Sequence, residues 1–175
     1  TRQPCLLITP ALLIAENAAF VAQCAMTMAP TIYAQRRARL LEQMQRGIAV
    51  IPTAEEVARN GDTHYAYRHD SSFYYLTGFA EPEAVLVLIA GAAPQAILFC
   101  REKNLEREIW DGYRTGPEAA QQQFGFDAAW PIAQLDEKLA ELMANQPVLF
   151  CPLGADAAWD QRLLKLRAAV QAKVR

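Results

Sequence analysis

The chain has 175 residues, of which 53% are hydrophobic and 21% charged, which suits one ordinary folded domain and excludes a disordered chain. Its formal net charge of −2, with no stripe of Lys and Arg, excludes the usual electrostatic footprint of a nucleic-acid-binding protein, and no nucleic-acid partner is expected. The four cysteines stand singly, so no zinc site is expected, and Cys100 and Cys151 are predicted to be reduced core residues at strand ends.

Residues 1–28 are apolar and rich in small side chains. Pro10 and Glu16 interrupt them, so the stretch is too broken for a membrane helix, and no membrane partner is expected. Arg2 alone is a poor basic start for a signal peptide. We interpret residues 1–28 as a leader of uncertain origin and expect the domain to occupy residues 29–175.

The first predicted element is a helix from Ile32 to Gln45, with Gly47 as its terminating glycine. Its apolar face is formed by Tyr33, Leu40, Leu41 and Met44. The three arginines of this segment are assigned to the opposite, solvated face: Arg36, Arg37 and Arg39.

A short apolar strand over residues 47–52 follows the helix and stops at Pro52. Thr53 and Glu56 have the spacing of a capping box, which predicts a single helical turn leading into a loop.

An aromatic segment comes next. Ser71 or Ser72 is predicted to cap a short helix that Gly78 closes. Because aromatic residues before an apolar strand are usually core residues, three rings are expected to be buried against the sheet: Phe73, Tyr75 and Phe79.

Two apolar runs, residues 84–89 and 96–100, flank a Gly/Ala/Pro turn and predict a β-hairpin. After it, helices are predicted at residues 117–124, 132–146 and 156–175, and strands at residues 126–131 and 147–152. Strands that alternate with helices around one hairpin predict an α/β domain built on a mixed β-sheet flanked by helices. The final helix runs to the last residue, as it would if the chain were cut before a linker.

No nucleotide-binding, nucleophile-elbow or zinc-protease motif is present. His64 and His69 lie in one loop with Asp62 and Asp70, but no periodicity fixes their spacing, so loop histidines are favoured over a metal site. Further candidate carboxylates are Glu81, Glu83, Glu106, Glu108 and Asp111.

Two arrangements of these polar residues stay open. Glu81 and Glu83 could form an acid/base pair, although Pro82 between them more simply begins a strand with flanking charges. Asp62 and Arg68 flank a loop with tyrosines and could form a polar rim around a ligand. The residues alone name no reaction.

Three segments nevertheless carry a resemblance that covers residues 32–175. "RRARLLEQM", "YRHDSSFYYLTGFAEPEAVLVLI" and "EIWDGYRTG" occur in the order found in the N-terminal domain of aminopeptidase P, the Xaa-Pro aminopeptidase family. The chain therefore resembles that domain. The resemblance implies the α/β fold of the creatinase and aminopeptidase P N-terminal domains, which is ribonuclease H-like.

The resemblance also implies what the whole protein would do. Such proteins continue into a "pita-bread" catalytic domain that holds two manganese ions and removes the N-terminal residue from peptides with proline in second position. That domain is absent from this chain, so the chain alone is expected to hold no catalytic or metal-binding residue and no cofactor. A cytoplasmic homo-oligomer is implied, with the chain's own catalytic domain, other subunits and the peptide as its partners.

In this family the N-terminal domain mediates subunit contacts and helps to close the active site. The matching positions are Asp62 in "RNGDTHY" and Trp110 in "EIWDG", with Arg114 as a third, and they are expected to line the substrate pocket. The alternatives are a loop-capping Asp62 and an interface or core Trp110. The alternative function is a non-catalytic peptide- or protein-binding module related to pita-bread proteins.

Overall fold

The structure is a computed structural model that describes residues 32–173, apart from the side chains of Asp111 and Lys173. The predicted leader, residues 1–28, lies outside the described residues. The strands are β1 (Gly47–Pro52), β2 (Ala58–Asn60), β3 (Thr63–His64), β4 (Val85–Ala90), β5 (Gln95–Cys100), β6 (Ala128–Pro131) and β7 (Leu149–Phe150). The helices are α1 (residues 32–44), α2 (Ser71–Thr77), α3 (Leu105–Asp111), α4 (Pro117–Phe124), α5 (Leu135–Met143), which a 3-10 turn over Ile132–Gln134 precedes, and α6 (Ala157–Lys173).

Five strands form one mixed sheet in the order β6-β5-β4-β1-β7. The central strands β1, β4 and β5 pair antiparallel, while β6 is parallel to β5 and β7 is parallel to β1. Strands β2 and β3 form a separate two-stranded hairpin. The predicted α/β fold with a mixed sheet flanked by helices is confirmed, as are the central hairpin and the helices that follow it.

Successive residues of each central strand point to opposite faces of the sheet. Helices cover both faces, so both are buried. On one face Leu86 and Leu88 of β4 join a core with Phe73 of α2 and Ala120 of α4. On the other face the valines of β4 join a core formed with α5 and α6. Burial on both faces explains why these strands are continuous apolar runs rather than alternating ones.

Arg37 is not on a solvated face, as the sequence analysis expected. It is 2% exposed, and its guanidinium donates hydrogen bonds to the carbonyl oxygens of Leu76 (3.1 Å), Phe124 (3.0 Å) and Gly125 (2.6 Å). These carbonyls lie at the C-terminal ends of α2 and α4, where helices leave carbonyl groups unpaired. Burial lowers the pKa of Arg37 to about 10. Arg39 is exposed, as predicted.

The aromatic segment divides into buried and exposed rings. Phe73 and Phe79 are buried, as predicted, but Tyr75 is 53% exposed and the expectation for it is wrong. Tyr75 lies on the outer side of α2, where the Arg36 guanidinium carbon is 4.0 Å from its ring centre. Cation–π stacking on an exposed ring therefore takes the place of burial.

Helix α2 ends as predicted and begins differently. Its N-cap is Asp70, not Ser71 or Ser72, and the carboxylate oxygen accepts a hydrogen bond from the Phe73 N–H at 2.7 Å. Gly78 closes the helix in the left-handed conformation, with φ of 69°. A Cβ at Gly78 would lie 2.5 Å from the ring of Tyr33, so the contact between α1 and α2 also requires glycine.

Two turn predictions are wrong. Thr53 and Glu56 form no helical turn, because the Thr53 N–H bonds to the Ala84 carbonyl beside the sheet. The residue that ends α1 in the left-handed conformation is Gln45, with φ of 58°, whereas Gly47 is already the first residue of β1. A Cβ at Gly47 would lie 2.6 Å from the Val148 carbonyl oxygen, so glycine here serves the close approach of two strands.

Candidate functional site

A cluster of exposed apolar side chains lies on one side of α3 and at Tyr113, two residues after the helix. Trp110 is 85% exposed, and three neighbouring side chains are also well exposed: Leu105, Ile109 and Tyr113. We call these four residues the α3 patch. Single exposed apolar residues are normal on a protein surface, but clustered ones typically mark an interaction site.

Helix α3 forms for local reasons. Asn104 caps it by accepting a hydrogen bond from the Arg107 N–H at 3.0 Å, and Glu106 and Glu108 place negative charge in its first turn. Gly112 ends it with φ of 82°. Helix α3 packs extensively against none of the elements from β1 onward, so tertiary packing contributes little to it.

The chain just after the α3 patch is firmly held. Glu81 Oε1 accepts hydrogen bonds from both the N–H (2.9 Å) and the hydroxyl of Thr115. Glu81 Oε2 lies 3.8 Å from Nη2 of the buried Arg101, which makes a partly buried ion pair. Glu81 therefore anchors a loop. This is a structural role, unlike that of a member of an acid/base pair with Glu83.

Lys103 makes the second connection to this loop. Its ammonium donates to the Arg114 carbonyl at 3.0 Å, pairs with Glu108 at 2.9 Å and lies 4.0 Å from the centre of the Tyr113 ring. Hydrogen bonding to Glu108 raises the pKa of Lys103. The loop therefore has a fixed base beneath exposed rings.

An open cleft of about 610 Å³ lies beside this loop. Its wall includes Lys103, Tyr113, Thr115 and Pro117, so it joins the α3 patch to the start of α4. The wall also carries the carboxylates of Glu102 and Glu118, so charged groups of both signs line this open cleft.

Asp62 lies at the tip of the β2–β3 hairpin and is exposed. The exposed ring of Tyr65 lies beside this hairpin, with the Arg59 guanidinium carbon 5.8 Å from its centre. Beyond it, the Tyr67 hydroxyl is within 2.8 Å of the Thr53 hydroxyl and donates to the Ala54 carbonyl at 3.1 Å. The exposed hairpin is thus held in place by the hydrogen bonds of the chain that follows it.

The three predicted site residues lie in two separate segments, the β2–β3 hairpin and the segment from α3 to Arg114. Asp62 is on the hairpin, whereas Trp110 and Arg114 are on or just after α3, and the two segments have no extensive contact with each other. The exposure of Trp110 excludes the core alternative. Sequence reasoning missed Leu105, Ile109 and Tyr113, although their four-residue spacing in a charged stretch is the signal of a helix face.

The histidines do not gather into a centre. His64 is exposed in β3, and His69 stacks on Tyr74 with ring centres 4.1 Å apart. Within residues 32–173 no group of three or more His, Cys, Asp or Glu side chains is placed to hold a metal ion. No helix in that same range has the length and apolar character needed to cross a membrane.

The chain matches a known protein family over about two thirds of its length. The family model described as "Aminopeptidase P, N-terminal domain" matches residues 33–150. The Xaa-Pro aminopeptidase of Escherichia coli is 41% identical over 142 residues, which are 77% of this chain and 32% of that protein. That of Haemophilus influenzae is 38% identical over 67% of this chain and 28% of its own length.

Solved structures give the same result. The aminopeptidase PepP of Pseudomonas aeruginosa matches with a TM-score of 0.80 and 42% identity over 86% of this chain and 34% of that chain. An E. coli aminopeptidase P in complex with substrate matches with a TM-score of 0.76 and 38% identity over 79% of this chain and 32% of that one. The chain thus spans about a third of the length of these E. coli and P. aeruginosa proteins.

Proposed function

Because the chain belongs to the aminopeptidase P N-terminal-domain family, we propose that it is the assembly and substrate-access domain of a proline-specific metallo-aminopeptidase. The full-length protein would release the N-terminal residue from peptides whose second residue is proline. Relatives named Xaa-Pro aminopeptidase, at up to 41% identity, support the proposal. Residues 29–175 would be this domain, and the catalytic domain would lie outside the chain.

Catalysis would belong to the other domain. We assign it the two manganese ions; one matching structure is a zinc-substituted aminopeptidase P, which supports a metal-dependent reaction in that protein. The present chain alone would then be inert. The assembled protein would be a cytoplasmic homo-oligomer with peptides as its substrates.

The exposed α3 patch supports the proposal that this domain contributes residues to the substrate pocket. Trp110, with Asp62 and Arg114, would form the rim of the substrate pocket when the domain meets a catalytic domain. A flat ring suits the compact, rigid pyrrolidine of proline, which loses little entropy on binding. The exposed Asp62 carboxylate could attract the charged amino end of the peptide.

The test uses the full-length protein and the substitution Trp110→Ala. We expect kcat/KM for an Xaa-Pro peptide to fall by about tenfold or more, equivalent to ~1.4 kcal/mol of transition-state stabilisation, with metal content unchanged. Asp62→Ala should act in the same direction. Leu164→Ala is the matched control, because Leu164 is also an exposed apolar residue but lies on α6.

Unchanged kcat/KM in Trp110→Ala would rule out the rim role. Equal losses in Trp110→Ala and Leu164→Ala would point to a general effect of removing surface apolar groups. A full-length protein that binds peptides without cleaving them would favour the non-catalytic binding module.

A further inference from the structure

Two arginines among the described residues are buried, and they use their charge differently. Arg37 donates hydrogen bonds to three backbone carbonyls. Arg101, which directly follows β5 and is 7% exposed, instead faces a carboxylate, with its Nη2 3.8 Å from Glu81 Oε2. Because a guanidinium keeps its charge in a protein, a buried one requires an anionic partner close by. The position of Arg101 is therefore tied to that of Glu81.

Glu81 connects this ion pair to the segment that carries Trp110. Its Oε1 accepts hydrogen bonds from the N–H (2.9 Å) and the hydroxyl of Thr115, while its Oε2 is the atom paired with Arg101. Electrostatic attraction to a buried cation orients a carboxylate, and so also orients the oxygen that Thr115 contacts. Thr115 follows Trp110 by only five residues, so its place limits where the end of α3 can lie.

The same ion pair lies beside the chain that supports the β2–β3 hairpin. Burial raises the pKa of Tyr67, whereas its hydrogen bond to Thr53 and the positive charge of Arg101 act in the opposite direction, which indicates that the guanidinium is near the phenol. The Thr53 N–H in turn donates to the carbonyl of Ala84, three residues after Glu81. The support of the hairpin and the anchor of the α3 segment therefore meet around one buried pair.

The two segments have no extensive direct contact with each other. Asp62 and Trp110 are both exposed, one at the hairpin tip and one near the end of α3. Groups that contact one peptide must keep a fixed separation, since an error of about 1 Å in placement can cost about 100-fold in rate. That separation has to be maintained through the residues on which both segments rest.

We propose that Arg101 is a positioning residue for peptide turnover. Through Glu81 it fixes the separation between the hairpin and the α3 segment, so that Asp62 and Trp110 reach the same peptide. Arg101 itself contacts no substrate in this proposal. The inference rests on the proposed function, in which both exposed residues line one pocket, but the control of Thr115 by Arg101 is measurable without it.

The test uses the full-length protein with Arg101→Met and, as the conservative variant, Arg101→Lys. Lysine keeps the positive charge but lacks the planar fork of the guanidinium. Arg37→Met is the matched control, because Arg37 is the other buried arginine and holds α2 and α4 rather than the α3 segment. The measurements are amide hydrogen exchange at Thr115 and kcat/KM for an Xaa-Pro peptide.

We expect the Thr115 amide to exchange about tenfold faster in Arg101→Met and to stay within about threefold of the native rate in Arg37→Met. Arg101→Met should lower kcat/KM by about tenfold or more, and Arg101→Lys should restore part of it. Adding Trp110→Ala to Arg101→Met should cost about threefold at most, because a displaced ring has less to lose, whereas Trp110→Ala alone costs about tenfold. If Arg101→Met does not fold, Arg101→Lys is used for the same comparisons.

Full additivity of the Arg101 and Trp110 substitutions would overturn the proposal, as would equal effects of Arg101→Met and Arg37→Met. An unchanged kcat/KM in Arg101→Met, beside a reduced one in Trp110→Ala, would overturn this inference and leave the proposed function standing. An unchanged kcat/KM in Trp110→Ala would remove the proposed function and the role of Arg101 in turnover with it. An unchanged exchange rate at Thr115 would overturn the structural basis of the inference whatever the activity.

Discussion

Two seven-residue helices of this domain, α2 and α3, carry aromatic and aliphatic side chains for opposite purposes. Helix α2 and the turn after it bury Phe73, Leu76 and Phe79, whereas α3 exposes Leu105, Ile109 and Trp110. Apolar content therefore does not decide burial. What differs is whether the rest of the fold holds the helix against the sheet.

Helix α2 is held at both ends. Asp70 caps its start, and Arg37 and Gly78 satisfy carbonyl groups at its end. Helix α3 is anchored through the chain that follows it, where Glu81 holds Thr115, and its apolar side chains stay free. Apolar side chains therefore stabilise the fold in one helix and are available for binding in the other.

The substitution with the largest expected effect on this contrast is Phe73→Ala. Emptying a fully buried aromatic site should lower the free energy of unfolding by about 3–5 kcal/mol. Tyr75→Ala on the same helix is the matched control, and it should cost about 1 kcal/mol or less because Tyr75 is half exposed and stacked on Arg36. Urea denaturation measures both, and similar losses would contradict the assigned burial.

Arg37→Met tests what holds α2 in place. Methionine fills a similar space but leaves the Leu76, Phe124 and Gly125 carbonyls without a donor, so a loss of about 2–3 kcal/mol is expected. Arg39→Met, on the exposed side of α1, should change stability by about 0.5 kcal/mol at most. Thermal and urea denaturation compare the two. A harmless Arg37→Met would mean that water replaces the guanidinium.

Thr115→Val tests the anchor beneath the α3 patch. It removes a hydroxyl that donates to the Glu81 carboxylate, and about 1–2 kcal/mol of stability should be lost. In the full-length protein kcat/KM should fall as well, because the loop that carries the α3 patch loses its fixed base. Thr115→Ser keeps the hydroxyl and should restore both quantities. Rescue of stability without rescue of activity would separate the anchor from function.

The dependence of stability on alkaline pH tests the burial of Cys100 in the core. Burial raises the pKa of the Cys100 thiol to about 12, and the Glu81 charge acts in the same direction. Above pH 9 the unfolded chain loses this proton while the folded chain keeps it, so stability is full below pH 9 and declines up to about pH 12. In Cys100→Ala the decline between pH 9 and 11, followed by urea denaturation, should be shallower. If stability declined equally steeply with pH in Cys100→Ala, other titrating groups would be the cause of the decline.

The sequence predicted the parts of this fold that rest on short-range pattern. The central hairpin, the amphipathic helix α5 and the glycine that closes α2 all follow from periodicity and turn chemistry. Two errors are local, the N-cap Asp70 and the helix end at Gln45, and the others involve partners distant in sequence. Arg37 was assigned to solvent because arginines usually are solvated, and its acceptors at Phe124 and Gly125 are more than 80 residues away.

The candidate site was predictable to a smaller extent. Trp110 was identified through resemblance, and its exposure became known only from the structure. The rest of the α3 patch lies in a charged stretch, where the four-residue spacing of Leu105, Ile109 and Tyr113 is its sequence signal. The Glu81 anchor was also missed, since no local pattern connects Glu81 with Thr115.

The smallest expected effect is the stability change in Trp110→Ala. Because Trp110 is 85% exposed and α3 has no extensive packing with the strands and helices from β1 onward, the free energy of unfolding of the 175-residue chain should change by about 0.5 kcal/mol at most. The same should hold for Ile109→Ala, which is 79% exposed. Urea denaturation of the chain alone, beside kcat/KM of the full-length variant, separates the two roles of an aromatic ring. A loss of several kcal/mol would mean that Trp110 belongs with Phe73 as a core residue, and the contrast between α2 and α3 would fail.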